Sequence, residues 1–170
     1  MKNLSRRDFL RLSGAAVFAV GMTGALSGCD DDKVSETFVD FGKPVKMGDC
    51  EVTFFDIKAD KGNGSEHKAN LNFGVVNNGT EDVLVEKKNI SFWLDDGKQD
   101  IAAIYFHGEE SSWSTAETAV KVAAGERLWI QVRGNHTSCS STPKSGKAEV
   151  TIRGKTVKAR TNNIEGLGVG

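Results

Sequence analysis

The chain has 170 residues with 22 Lys or Arg and 23 Asp or Glu, so its formal net charge is −1. A chain this close to neutral lacks the basic balance that nucleic-acid binding usually requires. Its 38% hydrophobic and 26% charged residues are typical of a globular domain rather than a disordered one. No apolar run is long enough for an ordinary membrane-spanning helix. We therefore expect one folded domain without a nucleic-acid partner.

The N-terminus has the form of an export signal. Positive charge at Arg6 and Arg7 is followed by Phe9 and Leu10, and then by a short apolar stretch over residues 12–26. A charged segment before a short apolar region predicts export. The paired arginines with Phe and Leu just behind them resemble the twin-arginine signal of bacteria. This resemblance implies that the chain is exported in a folded state.

The next segment, Leu26-Ser27-Gly28-Cys29, resembles a bacterial lipobox, in which an apolar residue and two small residues precede a cysteine. The resemblance implies that Cys29 becomes the N-terminus and carries diacylglyceryl and palmitoyl groups. Two or more acyl chains would hold the protein stably at the membrane. We therefore expect an extracytoplasmic protein, lipid-anchored to the cell membrane of a bacterium. The alternative is an ordinary signal peptide with a chance cysteine.

Four segments are predicted from these features and from composition. Residues 1–28 form the signal peptide, and residues 29–36 are the lipidated cysteine and a polar tether. Residues 37–160 form the folded domain, and residues 161–170 are a flexible tail.

Beyond the tether, short alternating runs predict β-strands. The run Cys50–Phe54 alternates, and the change of parity at Phe55 indicates a β-bulge. Residues 69–76 give the clearest alternation, and turns are expected at Asn77–Thr80 and Asp95–Gly97. Further strands are expected at 83–94 with a break near Lys87 and Lys88, at 101–106, 119–122, 128–133 and 148–152, and around Val157.

Roughly seven to nine short strands in one domain predict an all-β fold, an antiparallel immunoglobulin-like β-sandwich. Three segments, Asn70–Gly79, Phe92–Gly97 and Ala123–Glu126, also resemble a family of immunoglobulin-like domains found in bacterial surface lipoproteins. The resemblance implies the same fold and a binding role. It supplies no catalytic residues.

Cys50 and Cys139 remain after lipidation of Cys29, and an even pair in an exported chain predicts a disulfide. The bond would close a loop of 90 residues, which stabilises a fold by up to about 4–5 kcal/mol on the loop-entropy model. The alternative is two unrelated cysteines, one buried at a strand start and one in a polar loop.

Histidine and cysteine positions do not predict a metal site. His136 lies three residues before Cys139, but no histidine follows that cysteine, and Met47 is the only methionine after the signal. Blue-copper sites, which also occur on β-sandwiches, need two histidines beside the cysteine. We therefore expect no metal and no cofactor. A metal- or redox-linked accessory protein of the envelope is the alternative function, because twin-arginine cargo is folded before export.

Catalytic motifs are missing from the sequence. It has no Gly-x-Ser-x-Gly elbow, no His-Glu-x-x-His pair and no phosphate-binding glycine loop. The adjacent carboxylates Asp95-Asp96 and Glu109-Glu110 would point to opposite faces of a strand or into solvent. We therefore expect that the protein is not an enzyme, with a small hydrolase of unrecognised site as a further alternative.

Strand direction predicts which loops lie together. If every strand from Cys50 onward reverses the one before, loops 77–82, 108–118 and 134–146 all lie at the end where Cys50 begins its strand. The same arrangement would bring Cys139 near Cys50.

His107, Trp113 and His136 would then gather at that end and form a possible binding surface. Long loops at one end of a sandwich are a common place for binding. The expected partner is an envelope protein or a surface polymer. The alternative is that Trp113 folds back and caps the open end of the sandwich.

Overall fold

In a computed structural model of the chain, the described residues are 37–59, 68–109, 112–135 and 143–166, and the compact unit that they form begins at Phe38. These residues contain thirteen β-strands and a single 3-10 turn, so the predicted all-β fold is confirmed. No helix in these ranges could span a membrane. The strands are β1 (Val39–Asp40), β2 (Pro44–Met47), β3 (Cys50–Ala59), β4 (Lys68–Asn77), β5 (Val83–Glu86), β6 (Ile90–Leu94), β7 (Gly97–Lys98), β8 (Asp100–His107), β9 (Ser114–Ala116), β10 (Ala119–Val122), β11 (Arg127–Asn135), β12 (Gly146–Ile152) and β13 (Lys155–Thr161).

The strands form two large sheets and one small one. The six-stranded sheet has the order β2-β3-β4-β11-β8-β9, the five-stranded sheet has the order β1-β13-β12-β6-β7, and β10 pairs with β5 alone. All of these pairs are antiparallel except β1 with β13. The predicted antiparallel β-sandwich is therefore confirmed, with one parallel edge pair in addition.

The core lies between the two large sheets. Phe54 and Phe73 from the six-stranded sheet and Phe92 from the five-stranded sheet are fully buried. Burial of each such side chain stabilises the fold by roughly 1.5–3 kcal/mol. The sheets approach closely at Gly134, where an added Cβ would lie 2.6 Å from Phe92 Cζ.

The observed strand count exceeds the predicted one for two reasons. The run 83–94 is divided into β5 and β6 by the 3-10 turn Lys87–Asn89, which confirms the predicted break. The strands β1, β2, β7 and β9 were missed because they have only two to four residues each, too few to show clear alternation in a sequence.

The domain extends further than predicted at its C-terminal end. Strand β13 ends at Thr161, and Ile164 packs against the core. The Glu165 N–H donates to the Ile57 carbonyl at 3.1 Å, and the Ala59 N–H donates to the Glu165 carbonyl at 2.9 Å. The flexible tail predicted from residue 161 therefore does not begin there, because Thr161 pairs with Gly146 in the five-stranded sheet and Glu165 bonds to β3 of the six-stranded sheet.

The ends at which the loops lie also differ from the prediction. Strand β11 is antiparallel to both β4 and β8, with Arg127 opposite Val76 and Asn135 opposite Lys68 and Asp100. Loops 77–82 and 108–118 therefore begin at the Cys50 end of the sheet, while segment 134–146 begins at the opposite end. The prediction assumed that each expected strand reverses the direction of the one before. It failed after β8 because β9 is an additional strand within the predicted loop 108–118.

The predicted Cys50–Cys139 disulfide does not fit this topology. Cys50 is a free, buried cysteine, paired in register with Asn77. Arg127 of β11 is opposite Val76, the neighbour of Asn77, and β11 advances eight residues from Arg127 to Asn135, or roughly 26 Å. Cys139 lies outside the described residues, but four residues from Asn135 reach at most about 14 Å. The remaining gap exceeds the Cα separation of about 4.4–6.8 Å that a disulfide needs.

Candidate functional site

A line of aromatic side chains crosses the face of the six-stranded sheet that is turned away from the core, here called the outer face. The Phe55 and Trp129 rings stack with centroids 4.3 Å apart and planes 19° apart. The Trp129 and His107 rings are 6.0 Å and 16° apart, and His107 meets Trp113 edge-on at 4.4 Å. These four residues, called the aromatic row, join β3, β11, β8 and the segment before β9.

Two local features of the backbone allow this stacking. Phe55 lies at a β-bulge, where the pairing with β4 shifts between Phe54 and Asp56, as the parity change in the sequence predicts. Strand β4 separates β3 from β11, so their backbones are about 9.6 Å apart. Gly74 is the β4 residue opposite both Thr53 and Trp129. Because glycine has no side chain, the Phe55 and Trp129 rings meet above it.

His107 occupies the centre of the row in a defined hydrogen-bonding state. Its Nδ1 lies 2.8 Å from the Gly108 carbonyl oxygen, and because a carbonyl only accepts, Nδ1 carries the hydrogen. Its Nε2 is buried and has no hydrogen-bond partner within the part of the chain that the structure describes. In the neutral ring this nitrogen is an acceptor between two tryptophans.

The structure brings together two of the three residues predicted for the binding surface. His107 and Trp113 are in contact, and Trp113 keeps 39% of its surface exposed. His136 lies outside the described residues, and the strand that leads to it ends at Asn135 on the opposite end of the sheet. Trp113 packs on His107 at the outer face, whereas the alternative prediction placed it over the open end of the sandwich.

A second line of side chains lies beside the aromatic row, one step further along the strands. Asn72 Nδ2 donates to Asp56 Oδ1 at 2.5 Å, and Gln131 Nε2 donates to Asn72 Oδ1 at 3.0 Å. Tyr105 is opposite Gln131, and the Arg133 guanidinium lies 4.8 Å from the Tyr105 ring centroid, within cation–π range. Asp56, Asn72, Gln131 and Tyr105 are called the polar row.

Charges of both signs surround the two rows, and they balance once the Arg133 guanidinium beside Tyr105 is counted. Lys58 Nζ lies 4.0 Å from Asp56 and 3.5 Å from Glu165, and Arg127 lies 3.9 Å from Glu109. Burial raises the pKa of Asp56 above its usual value, against the opposing effects of the Asn72 hydrogen bond and of Lys58. Glu165 adds to the upward shift of this pKa. The outer face is therefore close to electrically neutral.

The raised pKa of Asp56 predicts a specific pH dependence. An acid whose pKa is higher in the folded state destabilises that state when ionised, so the unfolding free energy should rise as pH falls through the raised pKa. Asp56→Asn removes the charge and keeps an acceptor for Asn72. We expect its urea midpoint at neutral pH to equal or exceed that of the parent, with a flatter acid-side profile. A lower midpoint with an unchanged profile would contradict this.

Sequence reasoning missed Phe55, Trp129 and the polar row as site residues, although a signal for them exists. In β11, Leu128, Ile130 and Val132 are buried, so Trp129 and Gln131 must face outward. Trp93 is also at an outward position, in the other sheet, so the signal lies in the grouping of aromatic residues on one face. The face holds two of the three tryptophans and the single tyrosine of the chain.

Across the described ranges, no group of three or more His, Cys, Asp or Glu could hold a metal ion. The His136 and Cys139 pair, which motivates the metal- or redox-linked alternative, lies outside those ranges.

Comparison with known proteins gives distant structural likenesses alone. No family model matches the chain, and no curated protein matches it. A provisionally assigned lipoprotein, ycdA, from Bacillus subtilis has a TM-score of 0.46 and 12% identity, over 70% of this chain and 38% of that one. An uncharacterised β-sandwich protein from Clostridium difficile 630 has a TM-score of 0.47 and 11% identity, over 74% and 97%. A FixG-related protein from Vibrio parahaemolyticus has a TM-score of 0.38 and 10% identity, over 70% and 98%. This chain thus spans well under half of the Bacillus chain, and likeness at these values assigns neither a family nor a function.

Proposed function

We propose that this protein is a lipid-anchored, extracytoplasmic bacterial lipoprotein that binds an envelope component and catalyses no reaction. The aromatic row is its binding surface. The export and anchoring parts of the proposal are supported by Arg6, Arg7 and the lipobox cysteine Cys29. The binding part is supported by the geometry of the outer face.

The observation that carries the binding proposal is a stack of rings on a solvent-facing sheet surface. Alternation along a half-buried strand places polar residues on that side. Stacking of Phe55, Trp129 and His107 alone would stabilise the sheet. Trp113 lies outside the strands and keeps 39% of its surface exposed. A partly exposed tryptophan beside half-buried rings resembles the aromatic anchors of binding hot spots.

The absence of catalysis is part of the proposal and has a chemical basis. His107 is the only histidine in the described ranges. Its contacts there are the Gly108 carbonyl, Trp113 and Trp129. None of these groups is a nucleophile that an imidazole would activate. The ring therefore serves as part of a contact surface.

Export and anchoring are tested with two variants of the full precursor. Changing Arg6 and Arg7 together to Lys keeps the charge and loses the planar guanidinium groups, so precursor should accumulate in the cytosol. Cys29→Ser should abolish labelling by radioactive fatty acid. Normal export of the double lysine variant would refute the twin-arginine route, and persistent labelling of the serine variant would refute the anchor.

Binding is tested by capture of partners from the host's own membrane with the intact lipoprotein. Trp113→Ala should reduce capture at least tenfold while the melting temperature changes little, since the side chain is partly exposed. A large drop in melting temperature with full capture would show that Trp113 is structural, and the proposed surface would then be wrong.

A further inference from the structure

We propose that the ligand of the aromatic row is a neutral glycan, an uncharged polysaccharide segment of the cell envelope. This inference rests on the proposed function of the same surface and names its ligand class. It is carried by three features of the outer face: its aromatic groups, its hydrogen-bonding groups and its charge.

The two rows form parallel lines of different chemistry. The polar row lies two residues further along the strands than the Trp129 level, which is about 7 Å. From β3 to β9 the sheet spans four strand spacings, or about 19 Å. A long narrow strip with rings on one side and polar groups on the other suits an extended chain whose units each have an apolar and a polar edge. Sugar units have those two edges, since their C–H groups can pack on the exposed part of the Trp113 ring and their hydroxyls form hydrogen bonds.

The polar row offers both donors and acceptors of hydrogen bonds. The amides of Asn72 and Gln131 are oriented by the chain of bonds that ends on Asp56. Tyr105 on β8 is paired with the exposed Thr115 on β9, and each of these residues carries a hydroxyl. Asn72 is buried and holds the Gln131 amide in place. A sugar hydroxyl both donates and accepts, so it can match Gln131, Tyr105 and Thr115. Preorganised amides make such recognition less costly in entropy.

The charge of the face argues against a polyanion. Lys58 is paired with Asp56 and Glu165, and Arg127 is paired with Glu109. The Arg133 guanidinium beside Tyr105 is a third cation, so three cations balance the three carboxylates and the face has no net charge to attract a phosphate or sulfate polymer. A neutral polymer avoids that cost, and its binding should be insensitive to added salt.

The ligand class is tested with the intact lipoprotein in detergent and with envelope fragments from its own host. The fragments are used untreated, after periodate, which cleaves vicinal diols of sugars, or after proteinase K. We expect periodate to abolish capture and proteinase K to leave it unchanged. Neutral polysaccharides such as cellulose, chitin and a β-glucan should compete, whereas dextran sulfate should not.

Variants separate failure of the ligand class from failure of the site. Trp113→Ala should weaken glycan capture about tenfold or more. Trp93→Ala, which removes a tryptophan from the outer face of the other sheet, should leave it unchanged. Capture that depends on Trp113 but is lost to proteinase K and survives periodate would overturn the glycan and keep the site. Equal capture by Trp113→Ala and Trp93→Ala, or no capture by the parent protein, would overturn both the glycan and the site.

Discussion

Replacing Asn77 with Ala should lower the free energy of unfolding by about 3–4 kcal/mol. The Asn77 side chain is fully buried. Its Nδ2 donates to the carbonyls of Glu81, Val122 and Ala123 at 2.8, 3.1 and 3.1 Å, and its Oδ1 accepts from the Gly79 N–H at 3.0 Å. The substitution removes all of these bonds. The Ala123 carbonyl keeps its bond from the Glu126 N–H and the Glu81 carbonyl keeps its bond from Arg153. The Val122 carbonyl and the Gly79 N–H lose the side-chain partner, at a cost of roughly 1–3 kcal/mol each unless water reaches them.

Asn78→Ala is the matched control, because the neighbouring asparagine is exposed. A surface substitution of this kind should change stability by less than about 0.5 kcal/mol. For a domain of this size the Asn77 loss corresponds to a fall in melting temperature on the order of 10 °C. Urea and thermal unfolding measure both values. Equal effects of the two substitutions would show that the side-chain bonds of Asn77 are unimportant.

Trp129→Ala should reduce partner capture by tenfold or more, because Trp129 joins Phe55 to His107. Loss of the stacked ring should also cost stability, since an aromatic pair contributes about 0.5–1.5 kcal/mol beyond area burial. Trp129→Phe keeps a ring and should restore most of the capture.

Trp93→Ala is the matched control for this second prediction. Trp93 also faces outward from a strand, in the five-stranded sheet, with Lys98 Nζ 5.6 Å from its ring centroid. Its removal should cost some stability and leave capture unchanged. Capture and unfolding are measured on the same preparations of each variant. Equal losses of capture for Trp93→Ala and Trp129→Ala would contradict the proposed site. The loss would then come from reduced folding or from a partner bound elsewhere.

Local features of the fold were predictable because they depend on nearby residues. The alternation over residues 69–76 matches β4, in which Ala69, Leu71, Phe73 and Val75 are buried. The bulge at Phe55 and the break at Lys87–Asn89 were also visible as local changes of pattern. Such features follow from periodicity, which a single sequence contains.

Strand partners were not predictable in the same way. Strand β11 lies between β4 and β8, which are distant from it along the chain. The parity count that placed segment 134–146 beside Cys50 failed on one short strand, β9. Because each reversal changes the end at which every later loop lies, one missed strand was enough to predict a disulfide that the topology does not allow.

The role of Asn77 shows a similar limit. The segment Asn77–Thr80 was correctly predicted as a turn, on the ground that asparagine and glycine tolerate positive φ. In the described ranges, however, the non-glycine residues with positive φ are Asp95 and Arg153. Asn77 is instead needed for hydrogen bonds to Val122 and Ala123, which no local pattern reveals.

The candidate site was half visible in the sequence. His107 and Trp113 are six residues apart in the sequence, and their rings are in contact. Phe55 and Trp129 come from strands that are not adjacent, and their contact depends on Gly74 in the strand between them. That contact needs the sheet order, so the alternation alone identified Trp129 as outward-facing without identifying its partners.

Photo-crosslinking in living host cells tests the binding surface most directly. A photoreactive amino acid is placed at Thr115, an exposed position on β9 opposite Tyr105, or at Thr156, an exposed position on the other sheet. Crosslinks to an envelope component should form from position 115 and should be absent from position 156. Crosslinks from 156 with none from 115 would contradict the assignment of the outer face of the six-stranded sheet as the binding surface.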